Sequence, residues 1–254
     1  MATASAPLLR VENIHKSFGA LRVSRDISLS LAGGARHALI GPNGAGKTTF
    51  VNIVSGLLQP SAGHIFIRDT DVTRVSAERR VKLGLVRTFQ ISSLFPRLTV
   101  AENVALGISA RRGTDWKAWG EMRGQAATLA ETAAILSETG LLAMAGTQVA
   151  KLAYGQRRLV EIAVALALKP AILVLDEPAA GLSTAEREVL LRLLLALPAD
   201  LAILVIEHDM SLVFRLAQTI TVLVDGAILT EGTTADVRND PRVRDVYLGA
   251  RAHG

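Results

Sequence analysis

The organisation of this chain turns on Gly41-Pro42-Asn43-Gly44-Ala45-Gly46-Lys47-Thr48, which fits the pattern G-x-x-x-x-G-K-[ST]. An apolar run, Ala35–Ile40, precedes it, and Thr48–Leu57 follows with helical spacing. Glycines let the backbone curl into a nest whose N–H groups point at phosphate oxygens, and a helix N-terminus adds partial positive charge. Lys47 brings a full charge, and the Thr48 hydroxyl can ligate Mg²⁺. The stretch therefore predicts a nucleotide-phosphate loop between a strand and a helix.

Two adjacent carboxylates, Asp176 and Glu177, follow the apolar run Ile172–Leu175. Such a run predicts a strand buried on both faces, and its carboxyl end lies at the sheet edge where ligands of open α/β folds bind. Asp176 is placed to hold Mg²⁺, directly or through water, and Glu177 to polarise the attacking water as general base. Pro178 then stops the strand. The loop and the acid pair together predict hydrolysis of magnesium–ATP.

Composition narrows the class of protein. The 254 residues suit one sizeable domain with a full hydrophobic core. Arg192 and Pro198 interrupt the richest apolar stretch, Val189–Ile206, so no window offers the roughly 20 uncharged apolar residues that a spanning helix needs. Met1–Arg10 lacks the pattern of a secretory signal, and the absence of cysteine excludes disulfides. A net charge of +5 with 4% aromatic residues argues against nucleic-acid binding.

Strand and helix patterns alternate on both sides of a region that has helical patterns only. The predicted strands are Leu8–Ile14, Ile27–Leu31, Ala35–Ile40, Gly63–Arg68, Gly84–Thr88, Ala171–Leu175, Leu201–Ile206, Thr219–Val224 and Ala227–Leu229. The predicted helices are Thr48–Leu57, Ser76–Leu83, Val100–Ile108, Trp116–Thr139 and Thr184–Leu197, the last capped by Ser183 or Thr184. Between Ile91 and Lys151 only helical patterns occur. We therefore expect an α/β core with an inserted helical lobe.

Leu152-Ala153-Tyr154-Gly155-Gln156 resembles the signature motif of ATP-binding-cassette proteins, whose usual form is Leu-Ser-Gly-Gly-Gln. Other landmarks of that family occur in order. Phe18 matches the aromatic residue that stacks on adenine, Gln90 the glutamine at the junction of core and lobe, and His208 the switch histidine. The resemblance spans essentially the whole chain. It implies an α/β fold with a P-loop NTPase (RecA-like) core, an N-terminal antiparallel β subdomain and an inserted α-helical subdomain.

The resemblance also implies subdomain limits, ligands and site residues. The chain would be one ATPase domain, 1–254, with core segments 7–90 and 158–233, a helical subdomain 91–157 and a C-terminal tail 234–254. The ligands would be ATP and Mg²⁺. The implied catalytic residues are Glu177, His208 and Gln90, and the implied metal-binding residues are Thr48, Gln90 and Asp176. The implied nucleotide-binding residues are Phe18, Asn43, Gly44, Ala45, Gly46, Lys47, Thr48, Thr49, Ala153, Gly155 and Gln156.

Two departures from the family pattern bear on assembly. In this family the signature of one subunit closes over the nucleotide held by another. Ala153 stands at the usual signature serine and therefore lacks a hydroxyl for phosphate, and Ser183 stands where many cassettes place an aspartate. Lys47, Asp176 and Glu177 are unaffected, so hydrolysis is still expected. The departures favour a heterodimer with a second, different ATPase as a hypothesis.

Several stretches resemble one branch of the family, the ATPases of branched-chain amino acid importers. They are Val86–Gln90, Leu94–Pro96, Leu98–Val104, Leu152–Gln156, Asp176–Leu182, Ile206–Met210 and Tyr247–Gly249. That branch implies two membrane permeases, a second ATPase, a periplasmic or lipid-anchored solute-binding protein, and a peripheral location on the cytoplasmic face of the inner membrane. A permease helix would meet the lobe near Leu94–Arg97. The solute is not encoded in this chain, and related systems carry other amino acids, amides or small organic acids.

Two alternatives remain open at this level. One is the ATPase of a lipopolysaccharide or lipid exporter, a near relative whose signature normally keeps Ser-Gly-Gly, unlike Ala153-Tyr154-Gly155. The other is a cassette protein outside transport, which would usually carry tandem cassettes or a long coiled-coil insertion. A non-hydrolysing regulatory cassette would lack the general base, whereas Glu177 is present.

Overall fold

The computed structural model describes residues 7–88, 94–113 and 122–249. These residues form two compact units. The first unit contains the described residues up to Leu85, together with Ala171–Glu177 and the segment from Pro198 onward. The second contains the described residues of Val86–Pro170 together with Pro178–Leu197. Each unit is therefore built from segments that are distant in sequence.

A mainly parallel sheet forms the centre of the first unit. Its strands within this unit lie in the order β10-β9-β3-β8-β7, and only β10 runs antiparallel to its neighbour. Their bounds are β3 Arg36–Ile40, β7 Ile172–Asp176, β8 Ala202–Ile206, β9 Thr219–Val224 and β10 Ala227–Thr233. Every residue of β7 and β8 is buried, as expected for parallel strands covered on both faces. The carboxyl ends of β3, β7 and β8 consequently share one edge.

The first unit also contains an antiparallel sheet in the order β2-β1-β4-β5. Its strands are β1 Leu9–Phe18, β2 Leu21–Leu31, β4 Ala62–Ile67 and β5 Thr70–Asp71. The helices of this unit are α1 Lys47–Val54, α2 Ala77–Lys82, α7 Met210–Leu216, α8 Thr234–Asn239 and α9 Pro241–Gly249. Apolar residues of both sheets and of α1, including Leu9, Ile27, Phe50 and Val174, form one buried core. This core fixes α1 beneath the antiparallel sheet.

A buried arginine secures the far end of α1. Arg80, on α2, is fully buried, and its guanidinium donates to the carbonyls of Ile53 and Val54 at 2.8 and 2.6 Å. The same group donates to Val72 and Val75 in the loop before α2. Burial lowers the pKa of Arg80 to about 10, so it stays charged at neutral pH. The C-terminal carbonyls of the helix therefore have a cationic partner.

The second unit is helical in its described part. Its helices are α3 Val100–Arg112, α4 Met122–Glu138, α5 Tyr154–Ala167 and α6 Thr184–Ala196, with short 3-10 helices at Leu142–Met144 and Val149–Lys151. Strand β6, Leu85–Thr88, crosses from the first unit into the second. Val104, Ile108, Leu136 and Val160 belong to a second buried core. Glu131 receives hydrogen bonds from Arg111 and Arg112 beside this core.

The sequence-based elements are largely confirmed. The predicted α/β class, the N-terminal antiparallel strands, the helical region and the cap Ser183 are all found. Strands β1 and β2 are longer than predicted because they meet in a tight turn at Gly19, which has φ +57°. Helix α7 was not predicted, and the start of predicted helix Trp116–Thr139 lies outside the described residues. The subdomain limits 7–90, 91–157, 158–233 and 234–254 stay a prediction.

Among the residues that the structure describes, helices fall short of the length and apolarity required to cross a membrane.

Candidate functional site

The phosphate loop joins β3 to α1 in a backbone shape that requires glycine. Gly44 and Gly46 have φ of +81° and +97°, in the left-handed region. A Cβ built on Gly46 would lie 2.7 Å from the carbonyl oxygen of Val23, and one built on Gly41 would lie 2.1 Å from that of Leu223. Around a Cβ built on Gly44, by contrast, no described atom lies within 4 Å. The loop is packed against backbone on one side and open on the other, where Asn43, Gly44 and Thr48 are exposed.

Lys47 lies at the first position of α1 and is mostly buried. Its Nζ donates to the carbonyl oxygens of Gly41 and Pro42 at 2.6 and 2.9 Å. Burial lowers the pKa of Lys47, and the charges of Glu177 and Asp176 oppose that shift. The sequence-predicted lysine and both predicted carboxylates are thus brought together in the first unit. The ammonium group is held over the loop by contacts that a phosphate oxygen can replace.

The acid pair ends β7. Asp176 is the last residue of the strand and is almost fully buried. Glu177 follows with φ +47°, a left-handed conformation that is strained for a residue other than glycine. Its backbone N–H donates to the carbonyl of Ile206 at the end of β8, at 2.9 Å, which holds the turn in place. This strained turn takes the backbone out of the extended conformation directly after Asp176, and sequence reasoning did not predict it.

His208 follows β8 at the same sheet edge and is exposed. The preceding residue, Glu207, is buried, and its carboxylate accepts hydrogen bonds from the backbone N–H groups of His208 and Asp209 at 2.9 and 3.1 Å. Asp209 in turn caps α7 through the N–H groups of Ser211 and Leu212. Glu207 is therefore a positioning residue for the His208 turn. Sequence reasoning missed it because a Glu-His-Asp run predicts solvated charges.

Phe18 ends β1, and half of its side chain is exposed. Its neighbour Lys16 places Nζ 5.0 Å from the ring centroid. Strand β2, which pairs with β1 at Phe18–Leu21, carries the carbonyl of Val23 against Gly46 of the phosphate loop. Half of the Phe18 side chain is thus exposed aromatic surface of the kind that adenine stacking requires. The remaining predicted residue of this part, Gln90, lies outside the described residues.

The described residues of the first unit fit a nucleotide with Mg²⁺. The left-handed glycines and the N-terminus of α1 form a concave donor surface, and Thr49 is half-buried behind the exposed Thr48. A hydroxyl from Thr48 and a carboxylate from Asp176 are the oxygen donors that Mg²⁺ prefers, and the remaining ligands of such sites usually come from phosphate and water. The chemistry of the donor set therefore agrees with a metal–nucleotide complex.

The predicted signature lies in the second unit, at the start of α5. Ala153 is the N-cap, and its N–H donates to Oε1 of Gln156 at 3.0 Å. Gly155 is buried, while Ala153 and Tyr154 are exposed. The ring of Tyr154 packs at Gly181, where a built Cβ would lie 3.1 Å from Cε1. The signature thus packs against the turn that precedes α6.

Glu186, in the first turn of α6, is a further residue of this region that sequence reasoning missed. Ser183 caps α6, and Oε2 of Glu186 accepts from the N–H and hydroxyl of Ser183 at 2.8 and 2.7 Å. These hydrogen bonds lower the pKa of Glu186, and the nearby Gly155 amide adds to that shift. The spacing Ser183-x-x-Glu186 signals a capping box, but the contact with Gly155 joins distant parts of the sequence.

Family models match two parts of the chain. The model described as "ABC transporter" matches residues 24–180, which include the phosphate loop and the acid pair. The model described as "Branched-chain amino acid ATP-binding cassette transporter" matches residues 227–253.

Full-length relatives and solved structures agree with these matches. The high-affinity branched-chain amino acid transport ATP-binding protein LivG of Escherichia coli is 38% identical over 252 residues, covering 96% of this chain and 99% of LivG. The lipopolysaccharide export system ATP-binding protein LptB of Acidithiobacillus ferridurans is 35% identical, covering 95% of this chain and 97% of LptB. The crystal structure of MJ1267 in its ADP conformation, an ATP-binding cassette of an ABC transporter, matches with a TM-score of 0.84 and 30% identity, covering 96% of this chain and 99% of MJ1267.

Proposed function

This chain belongs to the ABC transporter family, and we propose that it is the ATP-hydrolysing subunit of an importer for branched-chain amino acids. The observation that carries the hydrolytic part is the convergence of Lys47 with Asp176 and Glu177. A cation for the phosphates, an acid for the metal and a base for water meet at one sheet edge. The observations that favour amino acid import are the match of residues 227–253 and the likeness to LivG along nearly the whole chain.

We assign the steps of hydrolysis to residues of the first unit and to Gln90. The N–H groups of Gly44–Thr48 and the Lys47 ammonium hold the β and γ phosphates of ATP, with Asn43 and Thr49 beside them, and Phe18 stacks on adenine. Thr48 and Asp176 would hold Mg²⁺, which when bound neutralises charge on the phosphate oxygens. Glu177 accepts a proton as the water oxygen attacks the γ-phosphorus and the bond to ADP breaks. His208 is assigned to the γ-phosphate, and Gln90 to the metal or the attacking water.

The hydrolytic assignment is tested by steady-state phosphate release together with ATP binding. Glu177→Gln should lower hydrolysis about 100-fold or more while ATP binding is retained. Lys47→Ala should lower both. Lys82→Ala is the matched control, since it removes an exposed lysine that pairs with Glu78 on α2. If Lys47→Ala bound and hydrolysed ATP like the unaltered chain, the assignment would fail.

We further propose that the chain pairs with a second, different ATPase beneath two permeases on the cytoplasmic face of the membrane, supplied by a solute-binding protein. Support comes from Ala153 and Ser183, which weaken the signature side of this chain relative to a partner that keeps the usual residues. Full activity of an ATP-dependent homodimer of the chain alone would contradict the pairing. Uptake of labelled leucine, isoleucine or valine by the assembled transporter tests the solute, and movement of lipopolysaccharide instead would support the exporter alternative suggested by LptB.

A permease helix is proposed to dock at Leu94–Arg97 in the second unit. Phe95 is 58% exposed there, and Asn103 fixes its backbone by accepting from the Phe95 N–H at 2.8 Å. Leu94 lines an adjoining groove of about 160 Å³ with Val164 and other residues. Phe95→Asp should therefore uncouple transport while ATP binding persists. Leu129→Asp is the matched control, because Leu129 is equally exposed, at 59%, but lies on α4, outside the proposed docking segment. Loss of ATP binding in Phe95→Asp would argue against this placement.

A further inference from the structure

The N-terminus of α5 is covered by the first turn of α6. A Cβ built on Gly155 would lie 2.3 Å from Oε1 and 2.7 Å from Cδ of Glu186. The Gly155 amide is close enough to this carboxylate to contribute to the lowered pKa of Glu186. Gly155 is buried although its two preceding residues are exposed. The glycine that the signature would offer to an anion is therefore covered by a carboxylate of the same chain.

The N-cap residue, Ala153, explains why the Gly155 N–H is left without a local acceptor. A serine, threonine or aspartate at an N-cap usually accepts a hydrogen bond from the second or third amide of the helix. Ala153 has no side-chain acceptor, so only one half of a capping box forms, the bond from the Ala153 N–H to Gln156. Gly155 holds the second helical position of α5. The carboxylate of Glu186 on α6 lies against this position instead.

The carboxylate of Glu186 can leave Gly155 without disrupting its own helix. Oε2 carries the capping box of α6, in which it accepts from the N–H and hydroxyl of Ser183. The Ser183 hydroxyl in turn accepts from the Glu186 N–H at 3.3 Å. Oε1 is the oxygen nearest to Gly155. When the Glu186 side chain turns away from Gly155, the bond from the Glu186 N–H to the Ser183 hydroxyl still caps α6.

Other contacts keep the two helix starts together when the carboxylate moves. The Tyr154 ring packs at Gly181, two residues before Ser183. Arg158 fixes that ring, since its guanidinium donates to the Tyr154 hydroxyl at 3.0 Å and to Glu161 at 2.8 Å. Release of Glu186 would thus uncover Gly155 without separating α5 from the turn before α6.

We propose that Glu186 gates the signature: its carboxylate masks the Gly155 N–H, and a nucleotide phosphate of a second ATPase subunit gains that donor only after the carboxylate swings away. The proposal rests on the proposed function, which brings such a phosphate to the signature. An N–H group has one hydrogen, so two anions that approach it compete, and their like charges add repulsion. Glu186 would then set the ATP concentration at which the subunits close.

The masking contact is tested first on the purified full chain without nucleotide. The variant Glu186→Gln preserves shape and an acceptor oxygen but removes the charge, and glutamine suits a capping box, so folding should be retained. In spectra of ¹⁵N-glycine-labelled protein, the Gly155 amide, assigned by its loss in Gly155→Ala, should move more than any other glycine in Glu186→Gln. Glu188→Gln, two residues further along α6, is the matched control and should leave it in place. An unmoved Gly155 signal in Glu186→Gln would overturn the contact.

The gating role is tested on the transporter assembled with its partner subunits. Loss of the competing charge should lower the KM for magnesium–ATP about two- to fivefold in Glu186→Gln, the range expected for one exposed charge pair. Glu188→Gln should match the unaltered transporter. An unchanged or raised KM in Glu186→Gln would overturn gating and assign Glu186 a supporting role only. An unaltered transporter that hydrolyses no ATP would instead refute the proposed function. The Gly155 spectra would still test the contact with Glu186, because they are recorded on the chain alone without nucleotide.

Discussion

The phosphate loop of the first unit and the signature of the second both end at the start of a helix, yet they treat their backbone amides differently. At α1, the loop around Gly44 is exposed, and Lys47 is the side chain that bonds to its carbonyls. At α5, Gly155 is buried beneath the carboxylate of Glu186. One potential anion site is kept open by backbone shape, and the other is closed by a side chain.

The difference shows what kind of change each site tolerates. Gly46 is confined by the carbonyl oxygen of Val23, a backbone atom of a paired strand that cannot retreat. Gly155 is confined by the end of a flexible glutamate. An alanine side chain should therefore distort the phosphate loop when it replaces Gly46, but only displace the Glu186 carboxylate when it replaces Gly155.

Gly46→Ala is expected to have the largest effect. An alanine there would hold a left-handed conformation at φ +97° and place Cβ 2.7 Å from the Val23 carbonyl oxygen. Strain and overlap together should lower the free energy of unfolding by about 2–4 kcal/mol, with ATP affinity lowered at least about tenfold by the distorted nest. Denaturant unfolding and equilibrium nucleotide binding measure the two effects.

Gly44→Ala is the control for Gly46→Ala. Its φ of +81° carries similar strain, but within the described residues no atom lies within 4 Å of the added Cβ. The expected loss of stability is about 1–2 kcal/mol, from strain alone. Equal losses in the two variants would show that the Val23 contact does not shape the loop.

Gly155→Ala should have a smaller effect on stability. Alanine favours a helical position over glycine by about 1 kcal/mol, and this gain offsets the displacement of the Glu186 carboxylate. We expect a net change within about 1 kcal/mol, measured by the same unfolding experiment. A loss as large as that of Gly46→Ala would mean that the Glu186 side chain cannot move aside for the added Cβ. The expected difference between the two sites would then be wrong.

The phosphate loop was predictable because its pattern is local. Eight consecutive residues specify the nest, and the apolar run before Asp176 specifies a buried strand that ends at the same edge. The cap of α6 was predictable for the same reason, since Ser183 directly precedes the helical pattern. Each of these features depends on neighbours in sequence and on simple periodicity.

The features that sequence did not predict depend on the tertiary fold. Nothing in the local pattern around Glu186 points to Gly155, which is brought near only when α5 and α6 pack. The left-handed turn at Glu177 forms because its N–H finds the carbonyl of Ile206 on a neighbouring strand. The burial of Arg80 likewise follows from carbonyls supplied by the end of α1.

Ala153→Ser makes the second site resemble a usual signature and should have a modest effect. A serine N-cap accepts from the first amides of α5 and should stabilise the chain by about 0.5–1 kcal/mol. The gain should be larger in the Glu186→Ala background, because Gly155 then lacks the carboxylate that lies against it from α6. A double-mutant cycle of unfolding free energies measures this coupling. Additive effects would show that Ala153 and Glu186 do not serve the same amide.

The pH dependence of the Gly155 amide should be the smallest and most specific effect. Hydrogen bonds from Ser183, together with the nearby Gly155 amide, lower the pKa of Glu186 below its ordinary value of 4.5. A lowered pKa means that the contact is fully present above pH 4.5 and is lost as the pH falls through the lower folded value. The Gly155 signal should therefore stay constant near neutrality, move only below pH 4.5, and show no such step in Glu186→Gln. A step at or above that pH would mean that the carboxylate is not held by these donors, and the second site would then be open like the first.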